Sequence, residues 1–483
     1  MKYICNMRLS LFAALLSFGA GSAGAVDLDA GGVVLDTGVD LAYEQGAISV
    51  PEVREKEGSR QISVGFWRIA KAEGASGDPV FLLAGGPGGS YPERIEEGGY
   101  RQKRYMRVIN MYRRVGDVVL VDLRGVNLST PNTVCNGAPN KWRRANSEEA
   151  FYDIMSDAGR ACREKLISEG FDLSGYVVTE AAADVIAVAD ALGYDKINVA
   201  GTSFGSHWGV TLAKYYSDRI SHILLTGLEG LDHTVDDRAS VALAIKKISE
   251  AARPTWNGAY GHEGPAEALV ALAERADRSP KEAFGLRRYE IAETSTSGRV
   301  YGLSGRGGMY EWPAAVHDYM DGKVGFFRLM RWFMARTVSK GWDAAAVGMF
   351  DCASWISPER RARFEAQDWA LAPDNLKYHD ALCAGWGVEP LPDDFRADFQ
   401  SDVPALFIHG TLDVSTPLAN AEETIKLFPN GTLTIVEGGS HGVLTESLNE
   451  FEGLEDRIVD WFYGGTPPSQ RLSLPPVSFK PID

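Results

Sequence analysis

One short stretch constrains the fold of this chain more than any other. Residues 197–210 read INVAGTSFGSHWGV, so a β-prone apolar run meets Gly201-Thr202-Ser203-Phe204-Gly205 and a helical pattern follows at once. A G-x-S-x-G turn between a buried strand and a helix is the pattern of a nucleophile elbow. The two glycines are required because a Cβ at either position would collide with the adjacent strand and helix. The stretch therefore predicts a strand, a sharp turn that carries Ser203, and a helix.

Short apolar runs alternate with helical patterns on both sides of this turn. The predicted strands lie at 60–68, 79–84, 117–121, 222–226, 404–409 and 432–436, and the predicted helices at 96–114, 147–169, 178–193, 418–428 and 446–463. Continuous apolar strands separated by amphipathic helices are typical of a parallel sheet that is covered on both faces. The expected fold class is therefore α/β, with a doubly wound sheet.

The alternation stops after His233 and resumes only after Arg396. The intervening sequence is helical in pattern and rich in Trp, Met and Phe, so we expect a helical lid over 233–396 inserted into the sheet domain. The first part of the core is then 26–232 and the second part 397–483. A Pro-rich tail from Thr466 is expected to run extended over the surface.

Two further candidate catalytic residues follow predicted strands. Asp413 lies in a turn after the run 404–409, and His441 lies in GGSHG after the next run. Catalytic groups of open α/β sheets gather at the carboxyl ends of strands, and the order Ser, Asp, His is the one that this kind of elbow uses. The sequence thus predicts a triad of Ser203, Asp413 and His441.

Other residues compete for the same roles. Glu229 follows the strand 222–226 and is an alternative acid, while His207 and His409 are alternative bases. His207 lies on the elbow helix and His409 inside a buried strand, so structural roles are expected for both.

The loop GGPGG at 85–89 follows a buried run. A glycine-rich loop after a strand can cradle a phosphate, but no Lys-Ser or Lys-Thr follows here, and Pro87 lacks an amide. A nucleotide site is therefore excluded.

The first 25 residues resemble a targeting segment. Lys2 and Arg8 precede an apolar run to Ala20, and Ala23-Gly24-Ala25 matches a cleavage site. The apolar run is shorter than the roughly 20 residues that span a bilayer. We expect a signal peptide cleaved after Ala25 and a secreted or periplasmic protein with no membrane segment after cleavage. The net charge of −16 argues against nucleic acid as a partner, because nucleic acid requires clustered Lys and Arg.

Four cysteines lie beyond the signal segment, namely Cys135, Cys162, Cys352 and Cys383. An even number in an exported chain favours disulfides. Of the three possible pairings, proximity favours Cys135 with Cys162 and Cys352 with Cys383, each closing a loop of roughly thirty residues; four buried free thiols are the alternative. The chain has no C-x-x-C and its histidines are scattered, so neither a metal site nor a cofactor is expected.

Taken together, the motifs AGGPGG, DLRGVNLS, GTSFG, GTLD and GGSHG resemble a known family. They are similar to those of the α/β-hydrolase peptidases of the prolyl iminopeptidase and tripeptidyl aminopeptidase group, especially its secreted bacterial members, over about residues 45–465. The resemblance implies the α/β-hydrolase fold, a mostly parallel eight-stranded sheet flanked by helices with a large inserted helical lid. Two positions depart from the family pattern: Ala84 replaces a histidine, and Asn127 replaces a glycine.

The resemblance also implies an activity, that of an exopeptidase on a small peptide with a free N-terminal amine. Carboxylates near the lid would bind the amine, with Glu229 and Glu311 as the main candidates and Asp232 and Asp351 as further ones. A carboxylesterase with the same triad is the alternative, which Ala84 favours. A non-catalytic binding protein is a remote alternative, because a scaffold alone would not require all three triad residues.

Two backbone amides are the expected oxyanion donors. One is the amide of Phe204, directly after the nucleophile, and the other is the amide of Gly86 in the glycine-rich loop. Pro87, the next residue in that loop, has no amide to offer.

Overall fold

The computed structural model of the protein centres on one mixed sheet. The structure describes residues 26–38, 40–135, 147–288, 290–291, 303–325, 344–367, 371–372 and 374–482. The expected signal peptide, 1–25, lies outside the described residues.

Ten strands form the sheet. They are β1 (Leu28–Val34), β2 (Asp40–Pro51), β3 (Gln61–Ile69), β4 (Val80–Leu83), β5 (Val118–Val121), β6 (Ile197–Thr202), β7 (Ile220–Thr226), β8 (Ala405–Gly410), β9 (Gly431–Glu437) and β10 (Arg471–Ser473). Their spatial order is β1-β2-β3-β5-β4-β6-β7-β8-β9-β10. The pairs β1–β2, β2–β3 and β3–β5 are antiparallel, and the remaining pairs are parallel.

The seven strands that the sequence places correspond to β3–β9, and the sheet has ten strands where the resemblance implies eight. All residues of β4 and β5 are buried, as expected for the centre of a sheet with both faces covered. The direction in which successive strands are added to the sheet reverses at β4: β5 lies on one side of it, and β6 and the strands that follow lie on the other. The turn that carries Ser203, after β6, therefore lies near the middle of the sheet.

Helices cover both faces of the sheet. On one face lie α3 (Glu148–Ser168), α4 (Val178–Ala191) and α5 (Phe204–Tyr215); on the other lie α1 (Tyr91–Glu96), α2 (Gly99–Arg113), α12 (Val443–Glu450) and α13 (Leu454–Phe462), and α11 (Leu418–Thr424) follows β8. The single helix expected over 446–463 is in fact two, α12 and α13. They are separate because Phe451 is extended and Gly453 has a φ of 74°.

Between β7 and β8 the described residues form helices and no strand. This insertion contains α6 (Arg238–Trp256), α7 (Pro265–Arg278), α8 (Arg306–Met320), α9 (Pro358–Glu365) and α10 (Asn375–Trp386), and a π-helical turn at Val347–Asp351. Leu412 and Val414, on either side of Asp413, belong to the apolar core that α6, α7 and α8 form. No helix of the described part of the chain is long and apolar enough to cross a membrane.

The C-terminal tail is more structured than expected. Residues 471–473 form β10, parallel to β9, and Val477, Phe479 and Ile482 then pack against the core of the insertion. Arg306, the first residue of α8, donates to the carbonyl of Gly438 at 2.8 Å and to that of Pro475 at 2.6 Å. The tail therefore connects the sheet edge to the insertion.

Both expected disulfides are present, which confirms the pairing by proximity. Cys135 bonds Cys162 on α3, and Cys352 bonds Cys383 on α10, with Cα–Cα distances of 5.6 and 5.3 Å.

Candidate active site

Ser203 occupies the sharp turn that the sequence predicts. Its φ of 60° and ψ of −132° lie outside the backbone conformations that residues with a side chain favour. A Cβ on Gly201 would lie 2.2 Å from the carbonyl oxygen of Gly205, and a Cβ on Gly205 would lie 2.2 Å from that of Leu83 in β4. Only glycine fits at either position, and the close approach holds Ser203 at the end of β6.

Asp413 and His441 lie together at the ends of the next strands. The Nδ1 atom of His441 is 2.8 Å from Oδ2 of Asp413. The Asp413 carboxylate also accepts hydrogen bonds from the amides of Ser415 and Thr416, at 2.9 and 3.0 Å, and from the Thr416 hydroxyl at 2.9 Å. Because these donors fix the carboxylate, the His441 proton is directed to Nδ1 and Nε2 is left as the basic nitrogen.

The two residues shift each other's pKa in opposite directions. Burial alone would raise the pKa of Asp413, but the charge and hydrogen bond of His441 outweigh burial and lower it. Burial alone would lower the pKa of His441, but the charge and hydrogen bond of Asp413 raise it above its ordinary value. The pair therefore stabilises an imidazolium, the species that forms when a histidine takes a proton from a serine.

The glycine-rich loop lies against Ser203. A Cβ on Gly85 would come within 3.0 Å of Cβ and 3.6 Å of Oγ of Ser203. The amides of Gly86 and Phe204 have no hydrogen-bond acceptor within the described residues. Two unsatisfied donors beside a serine hydroxyl are what an oxyanion requires.

A network of polar side chains holds the end of this loop, where Ser90 follows Gly89. Asp122 accepts from the hydroxyl of Ser90 at 3.1 Å and from Nδ2 of Asn127 at 2.9 Å, and Asn127 also donates to Ser90. Burial raises the pKa of Asp122 to about 7, although these hydrogen bonds lower it. Asn127 has a φ of 43°, a left-handed conformation that asparagine tolerates, which explains how it replaces the glycine of the family pattern.

Three carboxyl groups cluster near the elbow, on Glu229, Asp236 and Asp351. Burial raises the pKa of each well above its ordinary value, and repulsion within the group adds to it: Asp351 acts on Glu229, Glu229 on Asp236, and Asp236 on Asp351. Asp351 is 8% exposed. Glu229 and Asp236 are partly exposed. We call these three residues the carboxyl cluster.

Several contacts tie the carboxyl cluster to the elbow. The amide of Glu229 donates at 2.8 Å to the hydroxyl of Ser206, which in turn donates at 2.6 Å to the carbonyl of Ser203. Phe350, next to Asp351, packs edge-on against Phe204 with ring centroids 5.8 Å apart. The negative charge of Asp413 also contributes to the raised pKa of Asp236. The cluster therefore borders the triad.

The other predicted amine-binding residues lie elsewhere. Glu311, on α8, is partly exposed and pairs with Lys480 of the tail at 3.0 Å. Asp232 accepts from the Ser357 hydroxyl at 2.7 Å and from Nε of Arg360 at 3.0 Å. Both carboxylates thus already have partners outside the carboxyl cluster.

Both alternative bases have structural surroundings. His207 is fully buried between the Gly230 carbonyl at 3.0 Å and the Ser354 hydroxyl at 2.9 Å, and burial lowers its pKa to about 4. His409 accepts from the amide of Leu228 at 3.2 Å and contacts the Thr416 carbonyl at 2.8 Å. His207 fixes the segments that carry Glu229 and Asp351, and His409 fixes the turn that carries Asp413.

Comparison with known proteins agrees with the observed fold. A family model described as alpha/beta hydrolase fold matches residues 78–257, which span β4 to α6 and include the elbow. The protein has the α/β-hydrolase fold. A second model, described as TAP-like protein, matches residues 371–472 of this chain, including Asp413 and His441.

The relatives that match this chain are distant. Serine protease Hip1 of Mycobacterium tuberculosis is 30% identical over 161 residues, which cover 32% of this chain. The match spans only 30% of the length of Hip1. Among solved structures, a serine hydrolase from Cycloclasticus zankles has a TM-score of 0.36 at 14% identity and covers 87% of this chain and 98% of its own. A laboratory-evolved variant of potato epoxide hydrolase has a TM-score of 0.40 at 14% identity and covers 87% of this chain and 99% of its own.

Two residues of the candidate site were not anticipated from the sequence. Asp236 completes the carboxyl cluster, but its neighbour Asp237 caps α6, and nothing in the sequence distinguishes the two acids. Thr416 bonds Asp413 and approaches His441 Nδ1 at 3.2 Å; its place three residues after the acid, in a turn, was the available signal. No three His, Cys, Asp or Glu side chains of the described residues are arranged to hold a metal ion.

Proposed function

We propose that this hydrolase is an exported serine exopeptidase that releases N-terminal residues or short peptides through an acyl-enzyme. The observation that carries the proposal is the carboxyl cluster beside the triad. An esterase has no need for three carboxyls at its acyl site, whereas a peptidase that selects free N-termini must neutralise an ammonium group.

In the proposed reaction, His441 accepts the Ser203 proton as Ser203 Oγ attacks the peptide carbonyl carbon. Asp413 holds the imidazole ring and stabilises its positive charge. The amides of Phe204 and Gly86 bind the oxyanion. His441 then donates its proton to the leaving nitrogen as the C–N bond breaks, and water, activated by the same histidine, hydrolyses the acyl-enzyme.

Substrate ammonium would bind to the carboxyl cluster. Burial and mutual repulsion raise the pKa of these carboxyls, and a bound ammonium would lower it again, because an adjacent positive charge favours the ionised carboxylates. Glu311 is not part of this proposal because it pairs with Lys480.

The insertion 233–396 is the proposed lid, since it supplies Asp236 and Asp351 of the carboxyl cluster. Export is the proposed route, with cleavage after Ala25 and a secreted or periplasmic location. It is supported by the two disulfides, which persist in oxidising compartments.

The test compares leucyl anilide, acetyl-leucyl anilide and a short-chain aryl ester. We expect kcat/KM for the free-amine anilide to exceed that for the acetylated one by roughly 100-fold, the value of a buried charge-assisted contact. Ser203→Ala should lower turnover by roughly four orders of magnitude or more and leave the melting temperature unchanged. Ester cleavage without anilide cleavage would instead identify a carboxylesterase, and full activity of the Ser203→Ala variant would exclude the elbow from the mechanism.

A further inference from the structure

The two oxygens of the Asp413 carboxylate have different partners. Oδ1 accepts from the backbone amides of Ser415 and Thr416, at 2.9 and 3.0 Å. Oδ2 accepts from the Thr416 hydroxyl at 2.9 Å and lies 2.8 Å from Nδ1 of His441. Among the residues that the structure describes, Thr416 is the only side chain besides His441 that is hydrogen-bonded to Oδ2. Its hydroxyl therefore shares one acceptor with the candidate base.

The Thr416 hydroxyl also contacts the imidazole ring directly. Its Oγ1 is 3.2 Å from Nδ1 of His441, and the residue is 3% exposed, so little water competes for this contact. A hydroxyl that donates to Asp413 still offers its lone pairs to a second donor. The proton on Nδ1 of His441 thus lies between two oxygens, one of Asp413 and one of Thr416.

The surrounding backbone fixes both partners of this contact. Nδ1 of His409 accepts from the Leu228 amide at 3.2 Å, so its proton lies on Nε2, which donates to the Thr416 carbonyl at 2.8 Å. Gly227, with a φ of 54°, borders the ring on another side. A Cβ there would lie 2.8 Å from Cε1 and 3.0 Å from Nδ1 of His441, and 3.3 Å from Oγ1 of Thr416. The ring and the hydroxyl are therefore held together by close packing.

The charges around His441 come from several elements. Burial has the largest effect on the pKa of His441 and lowers it, but the charge and hydrogen bond of Asp413 raise it above its ordinary value. The other charged or titratable groups that face this pair are Arg104 on α2, Glu446 on α12, His409 on β8 and Asp236 of the carboxyl cluster. None of these four is hydrogen-bonded to Oδ2 of Asp413; the nearest atom, Nε2 of His409, is 3.8 Å away. Competition for that oxygen therefore comes from Thr416.

We propose that Thr416 is a positioning residue that limits how tightly His441 holds a proton, by donating its hydroxyl to the oxygen of Asp413 that His441 also bonds. The inference rests on the proposed function, in which His441 is the general base. A donor to a carboxylate oxygen stabilises its negative charge and weakens its hold on a neighbouring proton. Without the hydroxyl, Asp413 would stabilise the imidazolium more strongly. His441 would then stay protonated to a higher pH, and in that form it cannot accept the proton of Ser203.

The direct test measures the titration of His441 by NMR, with its ring resonance assigned from its absence in His441→Gln. Thr416→Val has nearly the same shape and no hydroxyl, so the pKa of His441 should rise by roughly 0.5 to 1 unit. Thr416→Ser retains the hydroxyl and should keep the wild-type pKa. Thr211→Val is the matched control, because Thr211 is a buried threonine of α5 whose hydroxyl donates to the His207 carbonyl at 2.9 Å; it should leave the pKa of His441 unchanged.

An equal or lower pKa of His441 in Thr416→Val would overturn the proposal, as would a raised pKa in Thr416→Ser. Thr416→Ala makes the same measurement possible if Thr416→Val does not fold, since alanine also lacks the hydroxyl and is smaller than the native side chain.

The pH dependence of turnover separates positioning from a merely structural role. In Thr416→Val the acid limb of kcat/KM for leucyl anilide should move to higher pH, so that kcat/KM at pH 6 falls by roughly three- to ten-fold and changes much less at pH 9. An equal loss at both pH values would show a structural role and overturn the proposal.

The NMR titration also distinguishes this proposal from the proposed function, because it needs no substrate. A raised pKa of His441 in Thr416→Val, in a protein that cleaves no anilide, would retain the role of Thr416 and reject the exopeptidase. An unchanged pKa in an enzyme that cleaves anilides would reject only the role of Thr416.

Discussion

At the scale of single residues, the carboxyl groups that are proposed to bind the substrate amine also make the stability of the folded protein depend on pH. Glu229, Asp236 and Asp351 each have a pKa raised by burial and by mutual repulsion. A carboxyl group whose pKa is higher in the folded state than in the unfolded state binds protons more tightly when folded. Its contribution therefore favours folding at pH values below its unfolded pKa, and this advantage is lost as pH rises through the folded value.

We predict that Asp351→Asn stabilises the protein increasingly as pH rises from 4 to 8. Asparagine removes the charge from a group that is 8% exposed, and one unit of pKa shift corresponds to about 1.4 kcal/mol, so a gain of at least about 1 kcal/mol is expected at pH 8. Urea unfolding across this range measures it. Asp398→Asn removes an exposed charge and should show no such trend; a loss of stability in Asp351→Asn at pH 8 would contradict the prediction. The same variant should weaken selection for a free amine.

The sequence predicts Ser203, Asp413 and His441 as one site because each of them follows a strand that is apolar enough to recognise. Ser203, Asp413 and His441 had only to be assigned to strand ends, and parallel strands bring those ends to one edge of the sheet. Carboxyls that could bind an amine are harder to predict. Those of the carboxyl cluster lie in loops and in the insertion, where a solvated acid and a buried one have the same local sequence. The sequence therefore suggests Glu311, which pairs with Lys480, and does not single out Asp236.

At the scale of elements, α10 of the insertion packs closely on α3 of the sheet domain. Gly385 on α10 makes this possible, since a Cβ there would lie 2.0 Å from the carbonyl oxygen of Ser156. Each helix also holds one end of a disulfide, through Cys383 and Cys162 respectively. The crossing of α3 and α10 is therefore a fixed attachment between the insertion and the sheet.

Gly385→Ala should destabilise the protein by about 1–3 kcal/mol, the range for overpacking a tight contact. The matched control is Gly307→Ala on α8, where a Cβ would meet nothing within 4 Å and alanine should leave stability unchanged or raise it by up to about 1 kcal/mol. Denaturant unfolding of both variants gives the comparison. Equal stabilities for the two would show that α3 and α10 do not pack as closely as described.

The sequence predicts a strand correctly where every residue of the strand is buried and therefore apolar. It fails for the strand at the edge of the sheet. Residues of β4 and β5 are all buried, and their sequences show it. The three residues of β10 are exposed or partly exposed within a Pro-rich tail, and their pairing with β9 depends on tertiary contacts that local sequence does not encode.

At the scale of the whole molecule, the tail joins two parts that are distant in the chain. Arg306 donates to the carbonyls of Gly438, Pro475 and Pro476. One guanidinium therefore connects α8, the loop between β9 and His441, and the tail. Lys480 adds a backbone hydrogen bond to Tyr310 at 2.9 Å.

Arg306→Gln is predicted to loosen the tail without unfolding the sheet. Loss of the charge-assisted hydrogen bonds should speed amide hydrogen exchange over 471–482 by roughly ten-fold or more, while exchange in β4–β8 stays the same. Arg253→Gln removes an arginine of the insertion whose ion pair with Glu263 is exposed and should leave tail exchange unaltered. Unchanged exchange in the Arg306→Gln tail would contradict this role.

The tail has a kinematic consequence. A body joined to another by two neighbouring connections can swing about the line between them, and the insertion has two such connections, after β7 and before β8. Two further attachments lie away from the line through these connections, namely the contact of the tail with Arg306 on α8 and the packing of α10 on α3 at Gly385. They do not share one axis about which α8 and α10 could both rotate. Leu412 and Val414 also lie in the core of the insertion, so any displacement of that core would carry Asp413 with it. The attachments at Arg306 and Gly385 therefore oppose a rotation of α8 and α10 about the line through the two chain connections, and such a rotation would have to break contacts of the tail or of α3.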